Sequence, residues 1–378
     1  MSAHSGEQRV TPLELFFDLV FVFAITRVTS LMAHDLSWTS IGQGLLVLAA
    51  LWWGWAAYAW LTNHVAGDDL RARMAVFVAM GAMVLVALAV PGAFGDHALL
   101  FALAYLVMRM AHLGLYWAAS REEPEVHVAV ARLLPSATVG PLLLVLAAFT
   151  DGALQAGLWI AALAIDYGGP LVTGVAGYRV HPAHFAERFS LIVIIALGES
   201  IIAIGAGAGD EPLSTAIGVA AVLSLMTSAA LWWAYFDVVA PVAHRALGAL
   251  TGVARNTLAR DSFAYLHLPM IVGIELFALG VEEVVGHVDE ALPIEASAAL
   301  FGGIALYLLA HVAFRLRNVG TVNRQRLVAA VVLALCILLG PEVDSLVALA
   351  LASAVTVALI AYETVRFGAD RVRVRMEA

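Results

Sequence analysis

Apolar runs of roughly 17 to 25 residues, separated by short polar stretches, recur from one end of the chain to the other. Each is long enough to cross the ~30 Å hydrocarbon core of a bilayer as an α-helix. The pattern predicts helices near 13–32, 41–62, 74–90, 98–118, 133–149, 154–175, 185–207, 214–238, 263–281, 295–314, 325–340 and 344–362. The expected fold is an all-α integral membrane protein with about twelve transmembrane helices.

Composition agrees with that setting. Of 378 residues, 62% are apolar and only 13% charged, more apolar surface than a soluble fold can hide. The residues before Pro12 are polar and no small-residue cleavage site follows a short apolar region, so the first helix is expected to stay. Cys336 is the single cysteine, which excludes an intramolecular disulfide and a cysteine-based metal site. Neither a metal nor a cofactor is expected. Gly205, Gly207 and Gly209 alternate at a helix end without the lysine or preceding strand of a phosphate loop.

All 20 basic residues are arginines, and all but Arg27 and Arg109 fall at the termini or in, or within a few residues of, the loops between alternate pairs of predicted helices. Arg71, Arg73, Arg121, Arg132, Arg179 and Arg188 are among them, as are Arg245 to Arg260, Arg315 to Arg326 and Arg366 to Arg375. The other loops carry acids: Asp35, Asp96, Asp151, Asp210, Glu211, Glu282, Glu283, Asp289, Glu290, Glu342 and Asp344. The positive-inside rule then puts both termini in the cytoplasm. Dispersal of the arginines among short loops argues against a nucleic-acid face. The expected partners are the lipid bilayer and a small ion or small-molecule substrate, with a homodimer left open.

The chain also reads as a duplication. Val10 to Val28 aligns with the segment from Val180, placing Glu14 opposite Glu187, Phe16 opposite Phe189, Asp18 opposite Leu191 and Thr26 opposite Glu199. Later landmarks recur in order: Trp52-Trp53 with Trp232-Trp233, Ala111-His112 with Ala310-His311, and Arg132-Leu133 with Arg326-Leu327. Two parallel six-helix repeats are expected, 1–180 and 181–378, the second ending in a short basic tail.

The segments ELFFDLVFVFAITRV (Glu14 to Val28) and ERFSLIVIIALGESII (Glu187 to Ile202) resemble the two signature regions of the bacterial low temperature requirement protein A family. The resemblance covers most of the chain. It implies a multi-pass membrane protein tied by name to growth in the cold, and no particular reaction, substrate or cofactor. Phe16-Phe17-Asp18 and Phe189-Ser190-Leu191, each differing at a single position, are also similar to the Phe-Ser-Asp motif of certain bacterial and lysosomal potassium channels built from six-helix repeats.

Charges at membrane depth cost roughly 2.5–3.5 kcal/mol each on insertion scales, so each needs a partner, a cavity or water. Glu14 and Asp18 lie four residues apart on one helix face. Glu14 reads either as a helix cap after Thr11-Pro12 or as a functional acid; Asp18 is too deep for a cap. Arg27 is out of phase with Asp18, and Glu199, between Gly198 and Ser200, is its expected partner, either as a bond between repeats or as part of an ion path. Glu187 and Ser190 occupy the corresponding motif of the second half. Arg109, His112, Asp166, His267, Glu275 and His311 form a deeper candidate group. Asp166-Tyr167-Gly168-Gly169-Pro170 is the expected helix break. The aromatic cluster Trp52 to Trp60 reads chiefly as lipid-facing and interhelical packing.

Three functions follow. A transporter or ion pathway accounts for the duplication and the charges on helices 1 and 7. A membrane-embedded enzyme acting on lipid or another apolar substrate would use Asp166, Glu275 and the histidines as acid–base groups. A non-transporting scaffold or sensor needs none of these to move anything.

Overall fold

A computed structural model describes residues 10–64, 70–209 and 212–367. Asp210, Glu211 and the tail arginines Arg371, Arg373 and Arg375 lie outside them. Of the described residues 86% are helical and none is in a strand, and the chain is an all-α polytopic membrane protein. In chain order the helices are α1 (Pro12–His34), α2 (Trp38–His64), α3 (Leu70–Ala89), α4 (Ala98–Ala119), α5 (Pro124–Ala147), α6 (Gly152–Thr173), α7 (Pro182–Ala208), α8 (Thr215–Ala234), α9 (Ala240–Gly248), α10 (Gly252–Leu258), α11 (His267–Gly286), α12 (Ile294–Ser297), α13 (Gly303–Val319), α14 (Arg324–Cys336) and α15 (Ser345–Arg366).

Ten helices among the described residues have the length and apolar character to cross a membrane. The predicted segments at 263–281 and 325–340 are not in that set. The helix at the first, α11, carries Glu275, Glu282 and Glu283, and α14 at the second has 13 residues, about 20 Å of rise. The helix predicted from 133 begins at Pro124, where proline's missing N–H costs nothing in a first turn. The break expected before Pro170 is absent. Pro170 sits inside α6 close to its end, so little of the ladder is lost beyond it.

Contacts divide the chain into two compact units, each discontinuous in sequence. The first comprises the described residues among 10–31, 42–188 and 247–260. Within it α4 packs against both α3 and α5, and α5 against α6. The segment between α6 and α7 is tied down from several sides. Asn63 accepts from the His181 backbone N–H (2.8 Å) and donates back to its carbonyl (3.3 Å). Asn256 donates to the carbonyls of Val175 and Tyr178, and Arg132 to that of Ala176. Gly177, at φ +96°, passes so close to α5 that a Cβ would stand 2.4 Å from the Glu125 carbonyl oxygen. Burial pushes the Tyr178 phenol above its ordinary range and leaves it a donor to the Ala129 carbonyl. This fixed segment sets where α7 starts, and hence where its first polar side chains point.

The second unit comprises the described residues among 32–41, 189–246 and 261–367. Its centre is α11, against α13 and the π-helical turn Ala298–Gly302. Here the backbones touch: a Cβ on Gly273 would lie 2.6 Å from the Gly303 carbonyl, and one on Gly280 would lie 2.6 Å from Leu300 Cα. Small residues at helix contacts replace the hydrophobic driving force that lipid cannot supply. A second π turn, Tyr235–Val239, joins α8 to α9.

Candidate functional site

The start of α1 shows why its acids tolerate burial. Thr11 N–H and Oγ1–H donate to Glu14 Oε2 (2.8 and 3.0 Å), while Thr11 Oγ1 accepts from the Glu14 N–H (3.3 Å). This is a reciprocal capping box with Pro12 as the first helical residue. The capping role expected of Glu14 is therefore real, and it uses only part of the carboxylate.

The remainder meets α7. Arg188, counted for orientation with the loop arginines, lies inside α7 and is fully buried, as is Asp18. Arg188 Nη1 donates to Glu14 Oε1 (3.0 Å) and to Thr62 Oγ1, and Nη2 donates to Asp18 Oδ1 (2.8 Å). Trp55 on α2 adds its indole N–H to the same Asp18 oxygen at 2.7 Å, and its ring lies 5.7 Å from the guanidinium carbon. His184, one turn before Arg188, bonds Glu14 through Nε2 (3.1 Å), and its Nδ1 lies 3.0 Å from Asn63 Nδ2. Because Asn63 Oδ1 accepts from the His181 N–H, the Nδ2 amide is a donor, so His184 Nδ1 accepts and Nε2 carries the proton. The imidazole is then neutral.

Glu14 and Asp18 supply two negative charges, Arg188 one positive and His184 none, so with both acids ionised the cluster is one charge negative. Asp18 Oδ2 has no hydrogen-bond partner among the described residues. Glu14, His184, Arg188, Thr62, Phe17 and Tyr58 all border a cavity of about 40 Å³. That space holds a few waters or a small cation, since one water needs roughly 10–15 Å³, and is far below the several hundred Å³ of an organic-ligand pocket.

The other candidates fall elsewhere. Arg109 on α4 and Asp166 on α6 form a second buried pair (2.9 Å) in the same unit. His112 packs between the rings of Tyr58 and Tyr116. Arg27 is half-buried on α1, in the first unit, and Glu199 is buried on α7, in the second. Glu187 is exposed and accepts from the Val10 N–H (3.3 Å). Ser190 is half-buried on α7, and Glu275 is fully buried in α11. His267 donates Nδ1–H to the Ser262 carbonyl (2.9 Å) and accepts from Tyr235 Oη (2.8 Å). His311 Nδ1 accepts from Arg326, which also grips Glu363 through Nε (3.0 Å) and Nη2 (2.9 Å). Trp52, Trp53, Trp55 and Tyr58 are buried, so this part of the aromatic cluster packs between helices and faces no lipid.

Sequence reasoning missed Arg188, His184, Trp55, Thr62 and Asn63. One signal was present: acids four apart at 14 and 18, and a histidine and arginine four apart at 184 and 188, are complementary faces at helical spacing.

A family model described as "Bacterial low temperature requirement A protein" matches residues 9–361. An uncharacterized protein of Rhizobium meliloti (strain 1021) is 30% identical over 306 residues, 78% of this chain and 74% of the relative.

Proposed function

The chain belongs to the bacterial low temperature requirement A family, and from the α1–α7 cluster we propose that it is a membrane transporter or ion pathway handling a proton or small inorganic cation. The observation that carries this reading is the uncompensated negative charge of Glu14, Asp18, Arg188 and neutral His184 beside a cavity of about 40 Å³. A buried charge excess is costly unless a cation or proton supplies the balance. Arg188 holds one oxygen of each acid; Glu14 borders the cavity, and behind it Asp18 Oδ2 keeps charge that no hydrogen bond among the described residues offsets. The cavity size favours an inorganic species over an organic solute. We place the protein in the bacterial plasma membrane with both termini cytoplasmic, on the distribution of its arginines.

The experiment is flux of H⁺, K⁺ and Na⁺ in proteoliposomes, with Asp18→Asn beside the native protein. Flux by the native protein that falls severalfold or changes pH dependence in Asp18→Asn, at equal insertion and folding, supports the reading. Vesicles bearing correctly folded native protein that pass none of the three ions would overturn it and leave the cluster as internal bracing.

A further inference from the structure

The second unit holds a larger cavity, of about 500 Å³, between α9, α13, α14 and α15, and the ion reading above makes no use of it. Its inner end is polar and its sides are mixed. Glu363 lines it but is already engaged: Arg326 binds both carboxylate oxygens, and Asn323 donates to Oε1 (2.9 Å). Arg326 is equally committed, with Nη2 also on the Ala234 carbonyl just before the π turn. No net charge is left over from this pair.

What is left over is a donor and a cationic rim. Because Arg326 can only donate, His311 Nδ1 accepts, and its neutral ring carries the proton on Nε2. That Nε2 has no partner among the described residues, and His311 is only 1% exposed. At the mouth stand Arg315, whose Nε is held by Thr321 (2.9 Å), and Arg324 in the first turn of α14, both exposed. The helix N-terminus adds favourable partial charge for an anion. Val238, Val242, Phe314, Val319, Val322 and Phe367 add an apolar lining to the same space.

A buried unpaired N–H donor, two exposed guanidinium groups and an apolar wall in one space of organic-ligand size make an anionic amphiphile the matching guest. Arginine forks suit phosphate oxygens better than a point charge does. We propose that this cavity binds a phosphate ester, with the phosphate between Arg315, Arg324 and His311 and the alkyl portion along the valine and phenylalanine wall. Two sources carry that chemistry: an anionic phospholipid of the surrounding leaflet, or a soluble phosphate ester.

The test is calorimetric titration of the full chain in a phosphate-free detergent, with dioctanoyl phosphatidylglycerol, glycerol phosphate and dioctanoylglycerol as ligands. The variant is Arg315→Gln/Arg324→Gln, whose exposed side chains leave the Arg326–Glu363 pair intact, with folding checked by circular dichroism. Binding of phosphatidylglycerol that weakens about tenfold or more in the double variant supports the proposal. Glycerol phosphate binding as tightly as the lipid assigns the site to a soluble ester, and much weaker binding assigns it to the lipid. The proposal is overturned if dioctanoylglycerol, which lacks phosphate, binds equally well, if the double variant binds unchanged, or if neither phosphate ligand binds. None of these outcomes depends on ion flux, so the two proposals fail separately.

Discussion

Arg188 Nη2 and Asp18 Oδ1 lie 2.8 Å apart with both side chains fully withdrawn from solvent, in the part of the fold where two charge-bearing helices meet. A buried pair adds little net stability over an apolar replacement, but removing one partner strands the other. Arg188→Leu strands two carboxylates at once. Its cost is expected to be at least about 3–5 kcal/mol, seen as a fall in folded yield and Tm in detergent. Asp18→Asn in the same background is expected to recover part of the loss; strictly additive effects would show that the two side chains do not interact.

Trp55→Phe keeps most of the packing volume and deletes the N–H that reaches Asp18 at 2.7 Å. The expected cost is about 1.5–3 kcal/mol, the range for a hydrogen bond to a charged group. Trp159→Phe, at a buried tryptophan packed on the rings of Phe94 and Phe101, serves as the comparison. Equal losses in thermal unfolding would reduce Trp55 to a packing residue.

Arg326 and Glu363 permit a cleaner asymmetry test. Arg326→Met leaves a buried carboxylate, and is expected to cost about 3–5 kcal/mol; Arg326→Met/Glu363→Leu is expected to be more stable than the single variant. Chemical unfolding of the purified proteins measures both. A double variant less stable than Arg326→Met would place other essential bonds on Glu363.

Backbone contact at α11 makes Gly280 sensitive to a single methyl group. A Cβ there would lie 2.6 Å from both Leu300 Cα and N, atoms that cannot rotate away. Gly280→Ala is expected to cost at least about 1–3 kcal/mol by overpacking. A Cβ on Gly218 of α8 would meet nothing within 4 Å, and Gly218→Ala is expected to be neutral or stabilising by up to about 1 kcal/mol. Thermal unfolding of the two variants side by side decides it.

Orientation can be read chemically because Cys336 is the single cysteine. In a Cys336→Ala background, Glu290→Cys is expected to react with a membrane-impermeant maleimide added outside intact cells. Labelling only after the membrane is broken would reverse the assigned topology.

Apolar run length was enough to determine the all-α membrane class and most helix positions, because in lipid every backbone polar group must be satisfied within its own helix. The paired motifs at 14–28 and 187–202 were enough for the family. The sequence also marked Glu14 and Asp18 as chemistry, since acids four apart in an apolar helix carry a cost that something must offset. What it did not disclose was the partner. Arg188, at the start of the helix predicted from 185, counts as one more arginine of the cytoplasmic edge until its side chain is seen to turn inward onto Glu14 and Asp18. Trp55 reads as one aromatic among several, and His184 as an isolated ring. Their roles depend on which faces of α1, α2 and α7 meet, and helical periodicity says which residues share a face without saying which face it touches. The tautomer of His184, and with it the charge excess of the cluster, rests on Asn63 and the backbone of His181, more than a hundred residues apart. Only tertiary packing could decide that.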